Sequence, residues 1–203
     1  MKKLVAIAIL ALMTLTAYAG SGQVGLEYER QFLTGGSYAG VNAKGLDLNV
    51  VGVAPGLKFG NTLVDVKLAN VTSIQDVAGS KLDTGGNYEA RVKQYYQLGN
   101  GLAATARVGL GYLSFRDESV KYYFVEPGVE YAVNSTISVN GSYRYTNDFN
   151  SKVAGSNWLG RGNRITGGVD YHVTGNDTVG LKVYRQLGDV DMTGVNVGYT
   201  RLF

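Results

Sequence analysis

No cysteine occurs anywhere in the chain, so no disulfide framework supports the fold and a lipidated N-terminal cysteine is excluded as an anchor. Stability must come from one continuous hydrogen-bonded structure. Long apolar runs are missing too: past residue 19 there is no stretch of 18 apolar residues, which rules out a membrane-spanning helix. The single histidine, His172, offers no ligand cluster for a metal and no His-centred set of partners for acid–base chemistry. No catalytic, cofactor-binding or metal site is therefore expected. Nor is charge of one sign in excess, since 19 Lys and Arg face 16 Asp and Glu, and nucleic acid is an unsuitable partner. Proline occurs only twice, against 29 Gly and 15 Tyr, and with many Val and Thr this composition favours strands and turns.

The N-terminus carries an export signal. Lys2 and Lys3 form a positive n-region, Leu4 to Leu15 an apolar core, and Ala17-Tyr18-Ala19 a small-residue cleavage site, a run too short to cross a bilayer as a helix. Residues 1–19 are expected to be removed. Residues 20–203 then make one domain, whose formal charge falls from +3 to +1 when Lys2 and Lys3 are lost.

Strict alternation dominates what remains. Tyr88-Glu89-Ala90-Arg91-Val92-Lys93 sets an apolar face against a fully charged one, the period-two signature of a strand. The pattern returns at Val24/Leu26/Tyr28, Val64/Val66/Leu68, Leu102/Ala104/Ala106/Val108/Leu110 and Val195/Val197/Tyr199. An internal repeat relates Ala54-Pro55-Gly56-Leu57-Lys58-Phe59 to Glu126-Pro127-Gly128-Val129-Glu130-Tyr131, each ending a strand at a hairpin. Further tight turns are written at Leu98-Gly99-Asn100-Gly101 and Thr174-Gly175-Asn176-Asp177. Longer connections lie near 33–44, 76–86, 116–119, 149–160 and 188–191. Short turns at one end and longer loops at the other is the asymmetry of a transmembrane β-barrel.

The pattern predicts an all-β, antiparallel up-and-down barrel of ten strands, with eight or twelve as alternatives. They cover 22–32, 45–59, 62–75, 87–98, 102–115, 120–132, 136–147, 161–173, 178–187 and 192–203. An even number returns both termini to one side, the periplasmic side in an outer membrane. Leu46, Leu48 and Val50 run out of phase with Pro55, Leu57 and Phe59, so a bulge is expected near Val51–Val53. Phasing also sorts aromatics to the two ends of the apolar face: Phe59, Tyr96, Tyr131, Tyr171 and Phe203 at the short-turn end, and Tyr28, Tyr88, Tyr112, Tyr123 and Tyr143 at the other. Two belts are expected where amphipathic rings meet both lipid–water interfaces. A soluble β-sandwich alternates as well, but has no reason to sort tyrosines in this way.

The segment Thr193 to Phe203, ending Gly198-Tyr199-Thr200-Arg201-Leu202-Phe203, resembles the terminal strand of bacterial outer-membrane barrels. That resemblance implies outer-membrane lipid and the barrel-assembly machinery as partners. Arg201 departs from it at a position usually apolar, which calls for an interfacial or snorkelling side chain. Residues 120–175 and 192–203 also resemble, more weakly, the oligogalacturonate-specific porin family, in Glu126-Pro127-Gly128-Val129-Glu130-Tyr131 and Ser142-Tyr143-Arg144-Tyr145. That family implies twelve strands and transport of acidic sugars.

The polar face gathers Glu27, Glu29, Asp65, Glu89, Glu126, Glu130 and Asp170 against Lys58, Lys67, Arg91, Lys93, Arg107, Arg144, Arg164 and Lys182. Charges facing lipid at mid-bilayer cost about 2–4 kcal/mol each, so these are expected to line the lumen. A near-neutral lumen does not select strongly for anions. Small inward residues such as Gly25, Gly56, Ala69, Gly109, Gly128, Gly168, Gly180, Gly194 and Gly198 are expected to leave room for water. The leading reading is a narrow, weakly selective channel for small hydrophilic solutes. The alternative is a closed barrel with an envelope or adhesive role. His172 is expected near the short-turn end as a lumenal residue bonded to a neighbour, with Asp170 beside it. Outer-membrane proteases, acyltransferases and deacylases resemble one another in holding a His at the opposite rim. The lone Trp158, in the 149–160 loop, is expected to anchor at the lipid interface or to make a ligand contact, and Gly160-Arg161-Gly162-Asn163-Arg164 matches no phosphate loop.

Overall fold

A computed structural model describes residues 21–38, 41–42, 44–73, 76–77, 80–81, 85–115, 118–149 and 161–203. The export signal, Trp158 and most of the 149–160 loop lie outside the described residues.

Ten long strands follow one another: β1 (Ser21–Tyr38), β2 (Asp47–Phe59), β3 (Thr62–Ser73), β4 (Gly85–Gly99), β5 (Leu102–Phe115), β6 (Glu118–Ala132), β7 (Ile137–Asp148), β8 (Gly162–His172), β9 (Asp177–Gly188) and β10 (Val190–Leu202). Each pairs antiparallel with its sequence neighbour, and β10 closes on β1 through the register Gln23↔Leu202 to Gly36↔Val190. The product is a closed barrel without a free sheet edge, which satisfies every strand's backbone groups. Two-residue ladders, Val41–Asn42 against β1 and Asp76–Val77 against Ser80–Lys81, extend the loop-side connections.

The strands are strongly staggered. A row leaving β1 at Gln23 passes Gly56, Asp65, Arg91, Gly109, Phe124, Thr146 and Gly162 to reach Gly188. Across that hairpin Val190 pairs with Gly36, far up the strand where the row began. Such a stagger requires strands tilted by roughly 35–45° to the barrel axis.

Four tight hairpins occupy one end, together with Ser21 and Phe203. Gly60 (φ 58°), Gly99 (φ 92°), Asn100 (φ 50°) and Gly101 (φ 76°) supply the left-handed backbone that two of them need. In the other two, Asn134 Oδ1 accepts from the amides of Thr136 and Ile137, and Thr174 Oγ1 from those of Asn176 and Asp177.

Two expectations need correction. No bulge interrupts β2, whose pairing with β1 runs unbroken from Ser21↔Lys58 to Phe32↔Asp47 and whose pairing with β3 keeps one register on both sides of Pro55. The irregularities fall instead at Leu33/Gly35 and Gln97/Gly99. The apparent phase change has another cause: Leu48 and Val50 are buried inside the barrel on the same face as Gly52, Ala54, Gly56 and Lys58. The first strand also runs to Tyr38, beyond the expected end at residue 32.

Candidate functional site: the barrel interior

Alternation delivers all fifteen predicted charges to the inner face. The outer face carries apolar side chains around the circumference: Leu26, Val51, Val66, Val92, Leu110, Val129, Ile165, Leu181 and Val197 are all exposed. Of the predicted aromatic positions, Tyr28, Phe59, Tyr96, Tyr112, Tyr131, Tyr143, Tyr171 and Phe203 are exposed there. Tyr88 and Tyr123 are half covered: Tyr88 stacks on Tyr112 with ring centroids 6.3 Å apart, and Tyr123 meets Phe149 at 5.3 Å. Tyr145 is a further exposed ring that the phasing passed over. Arg201 is outward and exposed at the short-turn rim, its Nη1 lying 3.5 Å from Asp177 Oδ1.

The interior has three tiers. Nearest the loops, Leu33, Leu46, Leu48, Val50, Val71, Leu113, Val120, Phe124, Val190 and Met192 form a buried apolar collar. Sequence reasoning missed it, although Leu46, Leu48 and Val50 signalled it by falling on the polar phase.

Below the collar lies a tier of ion pairs that cross the lumen. Arg144 on β7 reaches Glu89 on β4 (2.6 Å) while its guanidinium covers the Phe124 ring at 3.5 Å. Glu89 also accepts from Tyr122 Oη (2.8 Å) and lies 3.7 Å from Arg91. Arg91 chelates Asp65 through two bonds of 2.9 and 2.6 Å, and Lys67 on β3 bonds Glu27 on β1 at 2.7 Å. Glu29 accepts from Tyr184 Oη and from Gln31 Nε2. Arg164 stacks over Tyr184 at 4.1 Å and bonds Gln186. Glu29, Asp65, Lys67, Glu89 and Arg91 are all buried, and such groups are tolerated only in mutual compensation.

The third tier opens at the short-turn mouth. A cavity of about 290 Å³ is lined by Lys58, Asp65, Lys93, Tyr95, Arg107, Glu130, Asp170 and Lys182, among others. Lys93 bonds Glu130 and sits 4.4 Å over Tyr95, while Lys58 approaches the same ring at 5.8 Å. Arg107 Nη1 is 3.9 Å from Glu126, which also accepts from Ser142. This cavity shares walls with a central one of about 120 Å³, and that in turn with a third of about 70 Å³ walled in part by the collar's Val50, Val71, Leu113, Val120 and Met192. The cavities thus diminish from mouth to collar.

The inward glycines depart from expectation. A Cβ on Gly109 would stand 2.5 Å from the Phe124 ring, and one on Gly111 or Gly194 would meet the rings of Tyr122 or Tyr184. These glycines are sockets for aromatic neighbours rather than room for water, and Gly168, against the Lys182 chain, behaves alike. At Gly25 and Gly198 the nearest atoms lie 3.5 and 3.6 Å away, and some space does remain.

His172 is held between Ser138 Oγ (3.2 Å) and Thr178 Oγ1 (3.1 Å), while Asp170 accepts instead from Asn140 (2.7 Å). Among the described residues no group of three or more acids or histidines is placed to hold a metal.

No protein-family model and no curated protein matches the chain. Solved structures do. An outer membrane channel from Pseudomonas putida F1 superposes with a TM-score of 0.57 at 14% identity, over 90% of this chain and 96% of that one. The KdgM and NanC porins each align at 12% identity and a TM-score of 0.47, over 87% and 89% of this chain and 98% of each of theirs. The barrel described above is accordingly similar in fold to the Pseudomonas putida outer membrane channel.

Proposed function

We propose that this chain is an integral outer-membrane barrel enclosing a narrow passage for small hydrophilic solutes, occluded at its loop-side end. Both termini and the four tight turns then face the periplasm. The lipid-covered band is the apolar outer face, bounded by the two sets of exposed aromatics. The carrying observation is the series of cavities that narrows, among the described residues, from the short-turn mouth to a space of about 70 Å³ walled in part by the apolar collar. An apolar constriction blocks ions by excluding water, and small side-chain movements suffice to re-wet it. No enzymatic step is assigned: the described partners of His172 are the hydroxyls of Ser138 and Thr178.

A fully closed structural barrel is the second reading. The Arg144–Glu89 pair spanning the lumen favours it. Planar-bilayer recording of the refolded protein in high salt separates the two. The passage predicts rare, small steps for the native chain and frequent, larger ones for Phe124→Ala combined with Leu48→Ala. Silence from both proteins overturns the passage and leaves the closed barrel. Large steady steps from the native chain overturn the occlusion.

A further inference from the structure

Three strand arginines stand on the outer wall, and two are neutralised from within the chain. Arg30 Nη2 lies 3.1 Å from Asp47 Oδ2, and Arg201 Nη1 lies 3.5 Å from Asp177 Oδ1. Arg185 differs. It stands on β9 between Val183 and Leu187, whose outward side chains are 54% and 51% exposed, so its charge emerges within the apolar strip and not beyond it. Its Nη1 donates to Thr193 Oγ1 of β10 (2.9 Å) and to Thr34 Oγ1 of β1 (3.1 Å), and Thr34 donates in turn to the Asp191 carbonyl (3.3 Å). The guanidinium is thereby stretched over two neighbouring strands.

Neutral hydroxyls fix its direction but supply no charge. The acids of the adjoining hairpin are committed to backbone: Asp191 Oδ1 accepts from the Gly188 amide at 3.1 Å and Asp189 Oδ2 from the Arg161 amide at 3.0 Å. No described carboxylate forms an ion pair with Arg185. Because both threonines occupy Nη1, the donors on Nη2 and Nε are left for a planar, two-pronged acceptor.

We propose that Arg185, held by Thr34 and Thr193, docks the phosphate of an acidic lipid headgroup in the leaflet that meets the loop end. The occupant must bring the missing negative charge, match a guanidinium fork, and arrive sideways along an apolar wall. A phosphorylated lipid meets all three requirements. A soluble anion fails the last. The assignment rests on the outer-membrane reading above.

The test compares thermal unfolding of the full barrel in phosphatidylcholine vesicles with and without phosphatidic acid. Acidic lipid should raise the native midpoint by roughly 2–4 °C, the shift expected of one added charge-assisted contact. Arg185→Gln should lose this increment, Arg185→Lys should keep part of it, and Arg201→Gln should keep it whole. Inorganic phosphate added to phosphatidylcholine vesicles should leave the native midpoint unmoved. An undiminished increment in both Arg185 variants overturns the proposal, as does an equal increment from inorganic phosphate. Failure to insert into any vesicle would overturn the membrane reading itself, and is read separately by resistance to added protease.

Discussion

The loop-side and mouth-side halves of the lumen are built from the same alternating strands, yet one is tightly filled, with a cavity of about 70 Å³, and the other hollow, with one of about 290 Å³. In the filled half, charges are locked across the lumen and aromatic rings seat themselves on glycines: Phe124 on Gly109, Tyr122 on Gly111 and Tyr184 on Gly194. In the hollow half, glycines such as Gly25 and Gly198 face little, and the lysines Lys58 and Lys93 share one ring, Tyr95. An inward glycine therefore has no fixed meaning. What stands opposite it on the neighbouring strand decides whether it makes space or receives a ring.

The largest expected effect comes from cutting the closure at its centre. Glu89 is the carboxylate on which Arg144 and Tyr122 converge, with Arg91 nearby. Glu89→Ala takes the carboxylate from the largely buried Arg144 guanidinium, while Arg91 keeps Asp65, and should destabilise the barrel by roughly 3–5 kcal/mol in urea unfolding from vesicles. A loss below about 1 kcal/mol would mean that water already reaches this tier.

The glycines offer a sharper comparison at smaller energy. Gly109→Ala forces a methyl against the Phe124 ring and, at 2.8 Å, against the Ala90 carbonyl. Overpacking of this kind should cost about 1–3 kcal/mol. Gly198→Ala puts its methyl no nearer than 3.6 Å to a neighbour, and should be neutral or stabilising by about 0.5 kcal/mol through a less flexible unfolded chain. Equal costs at the two positions would contradict the division into halves.

Much of this was legible beforehand, because period-two patterning decides which side of a barrel wall each residue faces. It carried the ten-strand count, and its phase sorted the charges from Glu27 to Lys182 onto one face and the aromatics from Tyr28 to Phe203 onto the other. Height along the axis was harder to read. It depends on stagger, which pairs Gly109 with Phe124 and sets Arg144 across from Glu89; neither contact is local in sequence. The collar was hidden for a related reason. Buried leucines at Leu46 and Leu48 look like an error of phase until the interior is known to include an apolar tier.

The smallest effect concerns how wet the two halves are. Lys93 bonds Glu130 at the mouth, where Glu130 keeps a third of its side-chain surface exposed (33%). Lys93 itself is 12% exposed, so Lys93→Gln should cost about 1 kcal/mol at moderate salt, less than the Glu89→Ala penalty. Raising KCl from about 0.1 to 1 M shortens the screening distance from about 10 to 3 Å, and should erase most of that difference while leaving the Glu89→Ala penalty nearly intact. Salt ions can enter a hollow mouth and cannot enter a tightly filled tier. If 1 M KCl diminished both penalties alike, ions would have to be reaching Glu89 from the mouth, and the ion-pair tier below the collar would belong to the hollow part of the lumen.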